Sequence, residues 1–175
     1  QWFRLTSCAD DVFSRLESIR EKKQAVLHMD IPTDWELYGD PFYWTQILFN
    51  LVENALKQNT EPGLSITVAA AKTQDACVIT VTDTGVGIPA ESIPFLFNRF
   101  YRVETHHSSE IRGTGLGLSI VKRAVEAHDG AITVSSIPHR ETVFTITIPL
   151  KRFREEKRIR QLSQVSIETS ANKST

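Results

Sequence analysis

An α+β fold is predicted by three features of the sequence. Two helical patterns, over residues 41–59 and 116–128, carry apolar residues at helical spacing. Strand-like runs come in neighbouring pairs, 64–72 with 77–82 and 131–136 with 142–150, the second pair reading as a hairpin. Breakers such as Pro32 and Pro62-Gly63 fall between these runs.

Taken in order, residues 2–5 read as a short strand. Thr6 or Ser7 is expected to cap a helix through about Lys23, with Val12, Leu16 and Ile19 on one face. Residues 25–31 read as a strand that Pro32 ends. Asp40-Pro41 is a helix start, a capping carboxylate followed by proline at the first helical position. That helix is expected to run to about Asn59. Residues 90–102 read as short and partly helical, and 103–112, poor in apolar groups, as a mobile loop. The domain is expected to span 1–150. Residues 151–175 differ in kind: a densely charged, helix-compatible run with a basic bias, then a polar tail expected to be disordered.

The chain has 175 residues and a net charge of -1, so its bulk charge does not predict nucleic acid as a partner. Cys8 and Cys77 form no CxxC pair and read as free thiols in a reducing, cytoplasmic compartment. No run approaches the roughly 20 apolar residues of a membrane helix. The first residue is Gln1 rather than Met, which reads as a piece of a longer parent, one that can carry a membrane anchor elsewhere.

The segment GTGLGLSIVKRAVEAHDG, 113–130, is glycine-rich and runs straight into a helical pattern. It lacks the G-x-G-x-x-G spacing and preceding strand of a dinucleotide turn, and no Walker loop is present. Glycines allow close backbone approach, and a helix starting near Leu116 presents free N–H groups that favour an anion. A purely structural turn is the other reading. Residues 83–89, DTGVGIP, follow a strand; Asp83 can accept from an amino group such as that of adenine, or can simply initiate a turn. In the helix over 41–59, Leu48, Leu51, Val52 and Ala55 form the buried face. Asn50, Asn54 and Lys57 fall within about 60° of one another on its border. They can line a pocket, with an amide oxygen suited to Mg²⁺, or form a polar rim. Residues 95–104, FLFNRFYRVE, bring aromatics together with Arg99 and Arg102, either as packing or for charge neutralisation.

Four boxes in this order, NLVENALK, DTGVGIP, FLFNRFYR and GTGLGLSIVK, resemble the catalytic ATP-binding domain of bacterial sensor histidine kinases. The larger group also holds gyrase-type and heat-shock chaperone ATPases. The resemblance covers about residues 2–150. It implies a Bergerat-type two-layer α/β sandwich, with a mixed, mostly antiparallel sheet, helices on one face and a flexible ATP lid at 103–112. It implies that Asn54 holds Mg²⁺ with Asn50 nearby, that Lys57 meets a phosphate and that Arg102 contacts the terminal phosphate. Asp83 would bind the adenine amino group in a pocket shaped by Gly85 and Gly87. Gly113, Gly115 and Gly117, with Thr114 and Leu116 between them, would hinge the lid and contact phosphate, Leu116 and Leu118 helping to seat the helix. Two positions depart from the family pattern: Gln58 stands where a tyrosine usually stacks on adenine, and Asp129-Gly130 replaces Gly-Gly. Gly130 is expected to take the left-handed cap.

The resemblance implies a protein histidine kinase of two-component signalling. Its γ-phosphoryl transfer would go to a histidine on a phosphoacceptor domain of the same parent, a homodimer, and onward to a response-regulator receiver domain. Gyrase-like ATPases carry a glutamate as general base where this chain has Asn50, and an amide takes no proton near neutral pH. Glu53, about 60° from Asn50 around the helix, is expected to face solvent. A degenerate nucleotide-binding regulator and an ATPase are the alternatives. None of the five histidines has the context of a phosphoacceptor, a histidine followed by an acid within a helix: His28 falls in a strand, His106 and His107 in the lid and His139 in a turn, and His128, though followed by Asp129, ends its helix, so the acceptor is expected elsewhere.

Overall fold

The computed structural model describes residues 1–103 and 114–155. Its strands divide between two sheets. The larger has the order β2-β4-β5-β7-β6, formed by β2 (Val26–Asp30), β4 (Ser65–Lys72), β5 (Ala76–Asp83), β6 (Ala131–Ile137) and β7 (Glu141–Pro149). Only β2 and β4 pair in parallel; β4-β5, β5-β7 and β7-β6 are antiparallel. The smaller sheet is antiparallel, β1 (Trp2–Arg4), β3 (Trp35–Tyr38) and β8 (Phe153–Glu155), with β3 in the middle.

Three α-helices lie among the described residues, α1 (Leu5–Lys23), α2 (Pro41–Gln58) and α3 (Gly117–Ala127), with a short 3-10 helix at Ile93–Phe95. Strand alternation shows where they pack. On β4, β5 and β7 the residues Ile66, Val68, Ile79, Val81, Ile146 and Ile148 are buried together with Leu48, Leu51 and Val52 of α2 and Val121 and Val125 of α3. Each such side chain contributes about 1.5–3 kcal/mol by leaving water. The opposite strand positions carry β-branched residues in cross-strand register, Thr67 with Thr82 and Thr80 with Thr145. The architecture is the α+β sandwich with a mixed, mostly antiparallel sheet that the sequence predicts.

Asp40 caps α2 as expected, accepting from the Phe42 N–H at 2.9 Å, with Pro41 at the first helical position. The cap expected of Thr6 or Ser7 does not form. Helix α1 begins at Leu5 directly after β1, with Arg4 at its N-cap and no side-chain cap, so both residues lie inside the first turn. Strand β3 and strand β8 are additions to the sequence reading. Residues 150–155 do not begin a helix: Leu150–Arg152 form a 3-10 turn and β8 pairs with β3. The ring of Phe153, buried, meets Trp35 at 4.7 Å, which is why this charged stretch adheres to the domain. The rest of the tail, 156–175, and the lid range apart from Val103 lie outside the described residues.

His128 joins α2 to α3. The Asp40 N–H donates to its Nε2 at 3.2 Å, so the ring proton sits on Nδ1, which donates to the Ala124 carbonyl at 2.7 Å. The left-handed residue after α3 is Asp129 (φ 60°), not Gly130 as the sequence predicts. Gly130 is small for a different reason: a Cβ there would stand 2.5 Å from Ile148 Cδ1. Asp129 in turn binds Lys151 at 2.9 Å and Arg152 at 3.1 Å, and these cations hold its carboxyl below the ordinary range.

Both cysteines are free and buried, and burial pushes the Cys77 thiol up to about 12. Among the described residues no helix is long and apolar enough to cross a membrane. Gly39 lies against the His128 ring, where a Cβ would sit 2.6 Å from Nε2. Gly39→Ala is therefore expected to lower unfolding stability by about 1–3 kcal/mol in a urea titration, through overpacking at the α2–α3 junction.

Candidate functional site

The cleft-facing side of α2 is the stripe that its packing leaves open. With Leu48, Leu51 and Val52 fixed against the sheet, Asn50, Glu53, Asn54 and Lys57 line a cleft of about 400 Å³. The Asn50 amide N–H donates to the Gln46 carbonyl at 2.9 Å. Its Oδ1 lies toward α3, 3.1 Å from where a Cβ on Gly117 would stand. Glu53 does not face solvent as expected. It lines the cleft and pairs with Lys57 at 2.8 Å, because residues one helical turn apart share a stripe.

Asp83, buried, ends β5 and lines the cleft. Its Oδ1 accepts from the Gly85 N–H at 2.9 Å. Burial raises its pKa above the ordinary carboxylate value, partly offset by the bonds from Gly85 and Asn59. Asn59, the C-cap of α2, is the residue that sequence reasoning missed here. Its Nδ2 donates to the Ala55 carbonyl at 2.7 Å, and its Oδ1 accepts from the Val86 N–H at 2.7 Å. One amide thus ties the end of α2 to the turn after β5. A Cβ on Gly85 would overlap that amide, so Gly85 shapes the pocket from behind rather than lining it. Gly87 lines the cleft with φ 74°, a conformation other L-residues rarely adopt, and presses on the Ile137 carbonyl.

Thr142 also went unread in the sequence. It stands directly opposite Asp83 in the β5-β7 register, buried and lining the cleft. Its hydroxyl lies 3.2 Å from that of Ser136, which accepts from the Ile88 N–H at 2.8 Å. Strand periodicity signals that 142 faces inward; only the register reveals what it faces.

At the other end, α3 begins at Gly117 after Leu116, whose side chain provides no cap. Among the described residues no side chain caps the first N–H groups of α3, and the positive end of the helix dipole lies behind them, an arrangement that suits an anion. Thr114 turns back to accept from the Leu116 N–H at 3.3 Å. Gly115, at φ 71°, accepts from the Phe100 N–H at 2.9 Å, and a Cβ on it would stand 2.8 Å from the Phe100 backbone. This contact joins Phe100 to the turn that leads into α3.

One cleft thus gathers Asn50, Asn54, Lys57, Asp83, Gly87, Arg102, Thr114, Gly115 and Gly117, with Gln58 on the same wall. Gly85 and Leu116 are not among its lining residues, and Gly113, His106 and His107 fall outside the described residues. The donor set fits a magnesium ion held with phosphates: amide oxygens from α2 are hard ligands, and among the described residues no group of three His, Cys, Asp or Glu forms a protein cage.

The sensor histidine kinase WalK of Bacillus subtilis is 33% identical over 159 residues, covering 89% of this chain and 26% of that protein. The adaptive-response sensory kinase SasA of Synechococcus elongatus is 39% identical over 143 residues, covering 79% of this chain and 36% of that one. The chain therefore spans about a quarter to a third of the length of these relatives. Among solved structures, the mycobacterial sensor histidine kinase MprB superposes with a TM-score of 0.73 at 26% identity, covering 85% of this chain and 97% of the other. The catalytic domain of histidine kinase ThkA superposes with a TM-score of 0.71 at 26% identity, covering 85% and 96%. The family model for histidine kinase-, DNA gyrase B- and HSP90-like ATPases matches residues 39–152, from the start of α2 to the turn before β8, and the chain belongs to that family.

Proposed function

We propose that this domain binds ATP with Mg²⁺ and transfers the γ-phosphoryl group to a histidine on a phosphoacceptor domain of the same parent protein. The observation that carries the reading is the joining, in one cleft, of a buried carboxylate at Asp83 with the uncapped start of α3. The first suits the amino group of a base, and the second suits phosphates. Between them the α2 stripe supplies Asn50, Asn54 and Lys57. In the transfer a bond forms between an imidazole nitrogen and the γ-phosphorus as the bond to the β,γ-bridging oxygen breaks, and ADP leaves. Such a reaction asks the nucleotide side for positioning and charge neutralisation rather than covalent chemistry. Lys57, Arg102 and the α3 N–H groups supply these. Asn54, with Asn50 beside it, would hold the magnesium ion, which neutralises phosphate charge when bound.

The acceptor's place is suggested by exposed apolar residues on the segments bordering the cleft. Phe100 is 72% exposed beside Gly115, and Ile120 is 51% exposed on the first turns of α3. A helix presenting a histidine can cover both. The onward partner would be a response-regulator receiver domain, the parent would be a homodimer, and this domain would work on the cytoplasmic side of any membrane. One observation favours hydrolysis as a second reading, namely the carboxylate of Glu53 in the cleft. Its pairing with Lys57 occupies it, and the position of the family's general base is Asn50.

With labelled ATP and Mg²⁺, the chain alone is expected to remain unlabelled, and a phosphoacceptor domain added in trans is expected to gain acid-labile label. Rapid release of free phosphate with no label on that domain would establish hydrolysis instead. Asn54→Ala is expected to weaken Mg-dependent ATP binding at least about tenfold in calorimetry, the order of a lost charge-assisted contact, with the melting curve unmoved. Asp83→Asn separates binding from stability. A carboxyl whose pKa rises on folding adds stability below its unfolded value and loses it as pH climbs through the folded one. At pH 7 the ionised Asp83 is thus a cost, and the amide still accepts from Gly85. The variant is expected to melt no lower than the parent at pH 7, to lose that advantage at pH 4, and to bind ATP poorly.

A further inference from the structure

The pairing of Glu53 with Lys57 bears on how the cleft meets a triphosphate. The two side chains are 25% and 44% exposed, so they sit at the water boundary, where an ion pair forms and breaks readily. Asn50 and Asn54 are uncharged and Glu53 balances Lys57, so the α2 wall carries no net charge. An ammonium already engaged with a carboxylate attracts an anion weakly. Resting on the nucleotide-binding reading above, we propose that Glu53 is a positioning residue that holds the Lys57 ammonium on the cleft wall and makes nucleotide binding depend on the divalent cation. A triphosphate arriving without metal must compete with Glu53 for the lysine. One arriving with metal brings its own neutralisation and tolerates the carboxylate. The pair thereby selects the metal complex over the bare nucleotide, a discrimination that neither residue provides alone.

The test compares ATP dissociation constants in Mg²⁺ and in EDTA for the parent chain, Glu53→Gln, and the double variant Glu53→Gln with Lys57→Met. Glutamine keeps the size and reach of the side chain, and a surface pair of this kind contributes little to folding, which a melting curve checks. Glu53→Gln is expected to tighten metal-free ATP binding about fivefold, the upper end for a partly exposed pair, while Mg-ATP affinity moves less than about twofold. The gain is expected to vanish in the double variant, since the released ammonium is what meets the phosphates. An equal change in both conditions, or a gain that persists without Lys57, overturns the proposal. A parent chain that binds no ATP in either condition overturns the nucleotide-binding reading as well, whereas binding with an unshifted ratio overturns this proposal alone.

Discussion

Helix α2 has to be buried along one side and open along the other, and the rest of the domain is arranged around that constraint. Its inner side, with Trp44, Leu48, Leu51 and Val52 at or below 1% exposure, locks the helix rotation against the sheet. Rotation about the axis would drive amides into the core, where an unpaired polar group costs about 1–3 kcal/mol. The rotation being set, the four residues at one-turn spacing have a single place to go, which is the cleft. The helix ends are pinned as firmly. Asp40 and His128 hold the start against α3, and Asn59 holds the finish against the turn after β5. The cleft is therefore bounded by three elements whose mutual positions each depend on an end of α2.

What could be read in the sequence was local. Asp40-Pro41 announces a helix because cap and first turn are adjacent, and the alternation in 131–136 and 142–150 reports which residues share a face without reference to any partner. The four boxes exposed most of the cleft for the same reason, since each is contiguous. What stayed hidden depended on distant partners. Strands β3 and β8 are four and three residues long and acquire their identity only by pairing across the chain, with Glu36 bound to Arg154 from 118 positions away. Thr142 gains its meaning from standing opposite Asp83, a matter of register. Glu53 was misplaced because its angle from Asn50 was given the weight, whereas it lies only about 40° from Lys57, one turn on, and the two share a stripe.

The glycines show how one residue type answers two demands. Gly87 and Gly115 adopt positive φ, so their requirement is conformational. Gly85 and Gly130 have ordinary backbones and are small because Asn59 and Ile148 occupy the space a side chain would need. A glycine box read as a turn is thus partly a packing motif. The first glycine turn is immobilised by the Asn59 amide and by the bonds from Ile88 to Ser136 and from His139 to the Val86 carbonyl.

The small sheet bears on how the domain would carry mechanical load. Strands β1 and β8 both run antiparallel to β3, on its two sides, and therefore run parallel to each other. Tension applied ahead of Trp2 and tension applied beyond Glu155 act at opposite ends of this sheet, along the strands. Load in that direction stresses the ladder bonds together, in shear, instead of opening them one by one. Arg154 stacked on Trp2 and Arg152 on Tyr38 brace the same strands from the side. A pull or twist transmitted through the chain on either side would be absorbed in β1, β3 and β8, leaving the floor and walls of the cleft, built on β5, α2 and α3, mechanically insulated.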